Sequence, residues 1–257
     1  MDEAPSETLD AFHRGRFYVL QPKGRGHRAG LDAMLLAALV PDDATGRLAD
    51  FGAGAGAAGL AVASRVPGLD VVLIENAVDM ARFARRSVAL PQNQALAARV
   101  AVLEADVTLS GARRVEAGLA DDCFDHVIMN PPFNDGGDRV TPDALKQHAH
   151  AMRGPVFENW IRTAGAVTRP GGQLSLIARP ESLTAILAAC GNRFGGVQMT
   201  PIYPRPGRDA FRLLVTGVKG SRARPSLRPP LHVHEEGEQA FSPFVDALNN
   251  GRACLSR

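Results

Sequence analysis

The chain is poor in lysine, cysteine, tyrosine and tryptophan: of its 257 residues three are Lys, three Cys, two Tyr and one Trp. Cys123, Cys190 and Cys254 are scattered, so neither a disulfide scaffold nor a CxxC or Cys/His zinc site is expected. No apolar run approaches the roughly 20 residues a membrane-spanning helix needs. The N-terminal MDEAPSETLD is acidic and polar, unlike a secretory signal. The expectation is a soluble, reduced, cytoplasmic protein. Net charge is also scarce, at +2 from 29 basic and 27 acidic residues. With 45% hydrophobic residues this excludes a disordered chain. Because 26 of the 29 basic residues are Arg, in an alanine-rich chain, the bias follows general composition and carries no functional reading.

What is present is an alternation. Short Val/Ile/Leu-rich runs predict strands near 47–52, 70–75, 99–105, 125–130, 173–179, 196–202 and 210–218. Helices are expected over 30–40, 57–66, 77–90, 142–152, 156–168 and 181–191, with a short last one near 243–250. Continuous apolar runs such as VVLIE and HVIM fit a parallel sheet covered on both faces. Alternating strands and helices define an α/β, doubly wound, Rossmann-like seven-stranded sheet. PIYPRPGRDA joins the last two strands without a helix, so they form an antiparallel pair. Residues 1–12 read as a loose leader and 220–230 as an extended linker.

Two motifs carry chemistry. In residues 47–59, RLADFGAGAGAAG, a strand ends at Asp50, four glycines follow within eight residues, and a helix starts. Such a turn lets a ligand approach the main chain and the free N–H groups of the helix start. Gly54, Gly56 and Gly59 fit the dinucleotide fingerprint GxGxxG. Asp50, Gly52, Gly54 and Gly56 equally fit DxGxGxG, the cofactor motif of S-adenosylmethionine-dependent methyltransferases. In either reading Glu75, at the end of the next strand, accepts ribose hydroxyls. The second motif, Asn130-Pro131-Pro132-Phe133, follows the fourth strand. Its prolines remove two backbone donors and leave acceptors at the carboxyl edge of the sheet, where ligands bind.

NPPF at this place, the glycine loop, and QPKGRGHRAGLDAMLLAAL over residues 21–39 together resemble the class I S-adenosylmethionine-dependent methyltransferases of the small-domain NPPY/F type. That group includes adenine-N6 methyltransferases of valine tRNA; the likeness covers about Phe12 to Lys219. The resemblance implies S-adenosylmethionine as cofactor and transfer to an exocyclic amine, foremost N6 of an adenine in tRNA. The Asn130 side chain and the Pro131 carbonyl would accept the amine's N–H bonds, with Pro132 shaping the turn and Phe133 stacking on the base. The implied cofactor set is Gly30, Asp32, Asp50, Phe51, Gly52, Gly54, Gly56, Glu75, Asn76, Asp106, Val107 and Asn130. Arg28 is a further candidate for the cofactor carboxylate. Asp106 would approach the cofactor adenine, and Asp32, otherwise a helix cap, its methionine moiety. Residues 1–40 would form an extension closing over the cofactor, 41–219 the methyltransferase domain, and 220–257 a linker and tail. Related groups methylate ribosomal RNA guanines or a release-factor glutamine, and both remain alternatives. So do a non-catalytic RNA-binding module and a nicotinamide oxidoreductase.

Charge is uneven along the chain. Segments 1–12, 13–28, 29–204, 205–228 and 229–257 carry −4, +5, −3, +6 and −2. The two basic clusters are candidates for RNA phosphate contacts. The pairs His148/His150 and His232/His234 lack a completing ligand, so no metal is expected. Trp160 reads as core, and Glu235, Glu236 and Glu238 as a solvated patch.

Overall fold

The structure, a computed structural model, describes residues 7–23, 29–132 and 144–255, and of 144–155 the backbone alone. It opens with a hairpin of β1 (Glu7–Phe12) and β2 (Phe17–Pro22), followed by α1 (Leu31–Ala37). The alternating body is β3 (Gly46–Phe51), α2 (Ala57–Arg65), β4 (Leu69–Glu75), α3 (Val78–Val88), α4 (Gln94–Ala97), β5 (Val100–Glu104), α5 (Gly111–Glu116), β6 (Phe124–Met129), α6 (Ala144–Val167), β7 (Thr168–Ala178) and α7 (Leu183–Cys190). It closes with β8 (Phe194–Tyr203), β9 (Arg212–Lys219), β10 (Ser226–Leu227), β11 (Leu231–His232) and α8 (Pro243–Asn249).

The main sheet runs β10-β8-β9-β7-β6-β3-β4-β5, with β11 also paired to β8. β9 is antiparallel to both neighbours; the other ladders are parallel. The expected doubly wound sheet with an antiparallel closing strand is therefore present. The chain winds outward from β3 to β5 and then restarts at β6 on the other side. That switch point opens a crevice above the carboxyl ends of β3 and β6.

Strand side chains alternate between two cores. Leu48, Val71, Leu73, Ile128, Ile177 and Leu214 face the core built with α1, α2 and α3. Ala49, Phe51, Ile74, Val127, Met129, Leu176, Leu213 and Val215 face the one built with α6 and α7. By this period of two, the side chains of Asp50, Glu75, Asn130, Arg179 and Arg212 all fall on the α1/α2 side of the sheet.

Four expectations need correction. Residues 7–12 are a strand, registered from Glu7 against Pro22 to Phe12 against Phe17, not a loose leader. The two helices expected over 142–168 are one, α6, with Gly154-Pro155 inside it. Asp32 sits in the first turn of α1 without capping it; the N-cap position is Gly30. Residues 220–230 are not a free linker: Ser226 and Leu227 pair with Gln198 and Met199, and Leu231 and His232 with Ile202 and Tyr203.

The tail then returns to the body. Leu255 donates its N–H to Ala38 O at 2.8 Å beside α1. Asp246 on α8 accepts Arg14 at 3.1 Å and also pairs with Arg252. Among the described residues no helix is long and apolar enough to cross a membrane.

Candidate active site

The β3–α2 turn is built on glycines because nothing larger fits. Gly52 has φ +66°, and a Cβ there would stand 2.5 Å from the Trp160 ring. Gly56, the N-cap of α2, has φ +94°, and a Cβ would meet Leu73 Cδ1 at 2.7 Å. Both conformations are costly for any residue with a side chain. The result is a backbone cradle that hugs the crevice.

Two carboxylates brace it. Asp50 Oδ2 accepts the Gly59 N–H at 2.8 Å, tying the end of β3 to the first turn of α2. Glu75 accepts the Gly54 N–H on Oε2 and the Ala77 N–H on Oε1, each at 2.8 Å. Each Glu75 oxygen keeps a further lone pair, so the amides do not exhaust the carboxylate. Burial pushes the Asp50 carboxyl up to about 7; the Gly59 N–H opposes the rise and the charge of Glu75 adds to it.

A cavity of about 600 Å³ opens over the cradle, within the usual range of small-molecule sites. It brings together Gly30, Asp32, Asp50, Gly52, Gly54, Glu75, Asn76, Asn130, Pro131 and Pro132 from the expected set. Gly56 shapes the turn behind it without lining it. Phe51 points into the opposite core, as the period of two along β3 requires. Val107 packs into that same core. Asp106 Oδ1 closes a local turn, accepting Thr108 N–H and Thr108 Oγ1–H at 2.7 Å, and does not line the cavity. Phe133 and Arg28 lie outside the described residues.

Four polar or aromatic residues line the cavity that the motifs did not single out for it: Gln21, Trp160, Arg179 and Arg212. Gln21 is 2% exposed. Its Oε1 accepts the Ala29 N–H at 2.7 Å and its Nε2 donates to Asp10 Oδ2 at 2.6 Å. One amide thus ties together the ends of the 22–29 segment at the rim. Trp160 is core, as expected, and also walls the cavity beside Gly52. Arg212 donates from Nε to Asp32 Oδ2 at 2.7 Å, a pair with 20% and 13% of its side chains exposed. It therefore leaves the surface cluster to which its sequence position assigned it. A pairing between residues 180 positions apart has no local signal.

The basic clusters divide along the strands. Arg205 and Arg208 lie on the β8–β9 loop, at the carboxyl edge that carries the cavity. Lys219 sits at the opposite edge, bound to Asp122 Oδ1 and Thr168 O at 2.6 Å. Ser221 and Ala223 pack on Gly195 and Gly196 there, so Arg222 and Arg224 lie at that edge too. The N-terminal cluster splits likewise: Arg14 and Arg16 flank the hairpin turn beside Ser64, whereas Lys23 follows the cavity-lining end of β2.

The residues present fit an adenosyl sulfonium cofactor. The positive-φ glycines leave room for a ligand against the backbone, and the acids of β3 and β4 suit hydroxyls and a cation. Asn130 Oδ1 is buried and without a hydrogen-bond partner among the described residues. A buried orphan acceptor at a cavity is costly unless a ligand supplies the donor.

This doubly wound fold, glycine cradle and acceptor turn define an S-adenosylmethionine-dependent methyltransferase. The chain belongs to the methyltransferase small domain family, which matches residues 28–199. A protein from Agrobacterium tumefaciens, Atu636, described as a predicted O-methyltransferase, is 57% identical, with 88% of this chain and 99% of that one covered and a TM-score of 0.76. TYW2 from M. jannaschii, solved with AdoMet, shares the fold at 12% identity, with 86% and 90% covered and a TM-score of 0.55. TrmN from Thermus thermophilus does so at 18% identity, with 73% and 48% covered and a TM-score of 0.52. No curated protein matches. The choice that the glycine loop left open between a dinucleotide and a methyl donor falls to the methyl donor.

Proposed function

We propose that the protein methylates an exocyclic amine nitrogen, N6 of an adenine in tRNA. The observation that carries the reading is Asn130 Oδ1 in the cavity wall, buried and without a partner among the described residues. An aromatic amine is a weak nucleophile because its lone pair is delocalised into the ring. Asn130 Oδ1 and the Pro131 carbonyl accept its two N–H bonds and localise that pair. Pro131 and Pro132 offer no competing backbone donor. When bound, S-adenosylmethionine supplies a methyl group on a cationic sulfonium. Gly30, Asp32, Gly52, Gly54, Glu75 and Asn76 hold it, and residues 1–40 close over it. Phe51, Gly56, Asp106 and Val107 act through the backbone and the shape of the turns. Phe133 stacks on the base. Transfer then relies on positioning and fixed acceptors.

A nucleic-acid partner is favoured by the basic residues on the cavity edge. Lys23, Arg205 and Arg208 are placed to meet phosphates around an extruded base, and a base in a loop is the easiest to extrude. Arg222 and Arg224, at the far edge, are peripheral in this reading.

The description of Atu636 favours a second reading, transfer to oxygen. A hydroxyl needs a base to take its proton. The cavity's described lining includes no histidine; Asp32 is paired with Arg212, and Asp50 and Glu75 brace the glycine cradle through Gly59, Gly54 and Ala77. An acceptor such as Asn130 serves an amine better. Release-factor glutamine, through its side-chain amide, and ribosomal RNA guanine, through its exocyclic amine, are alternatives that also accept the methyl on nitrogen.

The test is incubation of the protein and labelled cofactor with under-methylated tRNA, ribosomes or release factor in parallel. Label in tRNA is expected; label confined to either other substrate refutes the tRNA assignment.

A further inference from the structure

The segment after β9 climbs one free edge of the main sheet. β10 and β11 both pair with β8 on the side away from β9, and both run parallel to it. The climb starts near the beginning of β8, where a Cβ on Gly195 would meet Ser221 and the Arg222 N–H. It finishes at the end of β8, where His232 registers with Tyr203 and His234 donates its N–H to Pro204 O at 3.0 Å, beside the loop of Arg205 and Arg208. At the rise of a strand, the path from Gly195 to Tyr203 is about 26 Å long. The segment therefore links the far edge of the sheet to the edge that carries the cavity.

This edge is poorly suited to another strand. Arg228 donates its N–H inward, to Met199 O at 2.8 Å. Backbone groups alternate sides along a strand, so positions 227 and 229 face outward. Pro229 has no N–H, and Pro225 directly precedes β10. Between them Leu227 alone offers an outward donor. Prolines placed this way block strand addition at a sheet edge.

Charge then decides what the edge receives. Residues 210–234 include no Asp or Glu, and Lys219, Arg222, Arg224 and Arg228 follow one another along the climb. Arg222 and Arg224 are exposed, and among the described residues neither forms a salt bridge. Near the start, Asp122 is paired with Lys219 and Glu158 with Arg193. In the sequence, acids return at Asp209 and from Glu235 onward, at the carboxyl edge. An exposed, basic, acid-free edge that strands cannot extend suits a polyanion.

We propose that this edge, from Arg222 to Arg228, is a track for the phosphate backbone of the RNA that flanks the target nucleotide. This rests on the nucleotide reading above and extends it: the base enters at the carboxyl edge, while the adjoining RNA lies along β10. Arg222 and Arg224 are peripheral to the base and central to the flank. At about 3.4 Å per base pair the track matches roughly eight base pairs. The substrate must therefore reach that far beyond the target, and a hairpin with a shorter stem forgoes the contact.

The test measures tRNA binding by the full chain across a range of salt concentrations, with S-adenosylhomocysteine saturating. The track variant is Arg222→Gln/Arg224→Gln. The control, Arg82→Gln/Arg113→Gln, removes two exposed arginines from α3 and α5, at the β5 end of the sheet. The track variant is expected to bind tRNA on the order of tenfold more weakly, with the slope of log affinity against log salt smaller by about two. Its thermal melt and its affinity for S-adenosylhomocysteine stay at wild-type values, and the control loses far less. On a hairpin whose stem stops short of the track, wild type and track variant should bind alike. Equal losses in both double variants, or a loss on the short hairpin as large as on tRNA, overturn the proposal. Unchanged tRNA affinity in the track variant overturns it too and leaves the tRNA assignment standing. Leu227 is 75% exposed, and a dimer in sedimentation that Leu227→Gln breaks, with tRNA affinity indifferent to Arg222 and Arg224, gives the edge to a second copy instead. RNA binding that depends on Arg222 and Arg224, in an enzyme that places no methyl on tRNA, keeps the track and ends the tRNA assignment.

Discussion

Asp50 reaches from the end of β3 to the Gly59 N–H, 2.8 Å away in the first turn of α2, and it does so from a site only 2% exposed. Burial holds its carboxyl near 7, whereas in the unfolded chain it ionises near the ordinary carboxylate value of about 3.9. Between those values the folded chain holds a proton that the unfolded chain has released. Stability contributed by this group is therefore present at low pH and lost as pH rises toward 7. Asn in its place can still accept the Gly59 N–H and does not titrate. Relative to wild type, Asp50→Asn should gain on the order of 5 °C in Tm between pH 5 and pH 8. Parallel Tm profiles contradict this account of Asp50.

The turn after β3 tolerates no Cβ at Gly56, where φ is +94° and Leu73 Cδ1 stands 2.7 Å from the added atom. Gly56→Ala should cost about 1–3 kcal/mol in urea unfolding and weaken cofactor binding together with it. A variant of wild-type stability shows that the turn can relax.

Much of this was readable in advance, for identifiable reasons. DxGxGxG and NPP lie on contiguous residues at strand ends, where local pattern and tertiary position coincide. β1 escaped because its alternation is inverted: Leu9 faces solvent, while Asp10 faces inward to bind Gln21. A pattern of apolar-in and polar-out cannot detect that. Gln21 sits on the β1–β2 hairpin that the pattern missed, and Arg212 is placed by Asp32, 180 positions away. The split of the basic clusters follows from strand direction, which turns a contiguous run of arginines into residues at opposite ends of the sheet.

The tail clasps the N-terminal hairpin through His13. Its Nδ1 lies 2.9 Å from Ser64 Oγ, its ring meets Phe17 edge-on, and Gly251 packs against it so closely that a Cβ would stand 2.6 Å from the imidazole. Burial, with the nearby Arg16 and Arg65 charges, lowers the His13 pKa to about 4. The unfolded chain, with an ordinary histidine near 6.5, takes up the proton first as pH falls. Stability from this site is therefore full above about 6.5 and lost as pH drops toward 4. His13→Gln should flatten that acid loss. Gly251→Ala should destabilise by about 1–3 kcal/mol at pH 7.5. An acid profile identical to wild type in His13→Gln removes the histidine from the explanation.

Gln21 acts as a positioning residue. Gln21→Ala removes the acceptor for Ala29 N–H and the donor to Asp10 together. Ala29, which lines the cavity, should then lose its fixed position. KM for S-adenosylmethionine should rise on the order of tenfold, with kcat within about threefold of wild type. Gln21→Glu sets two carboxylates face to face, and adding Asp10→Asn restores a donor to the pair, so the double variant should recover part of the lost affinity. A fall in kcat with KM unchanged contradicts this role.

The central claim is that Asn130 presents its buried Oδ1, without a partner among the described residues, to an amine of tRNA. Its most direct test is nucleoside mass spectrometry of tRNA methylated by wild type and by Asn130→Ala, with cofactor affinity measured alongside. The account predicts N6-methyladenosine from wild type and turnover lower by on the order of 10²–10³ in the variant, with cofactor binding retained. A methyl group on oxygen, or near-normal turnover in Asn130→Ala, contradicts it.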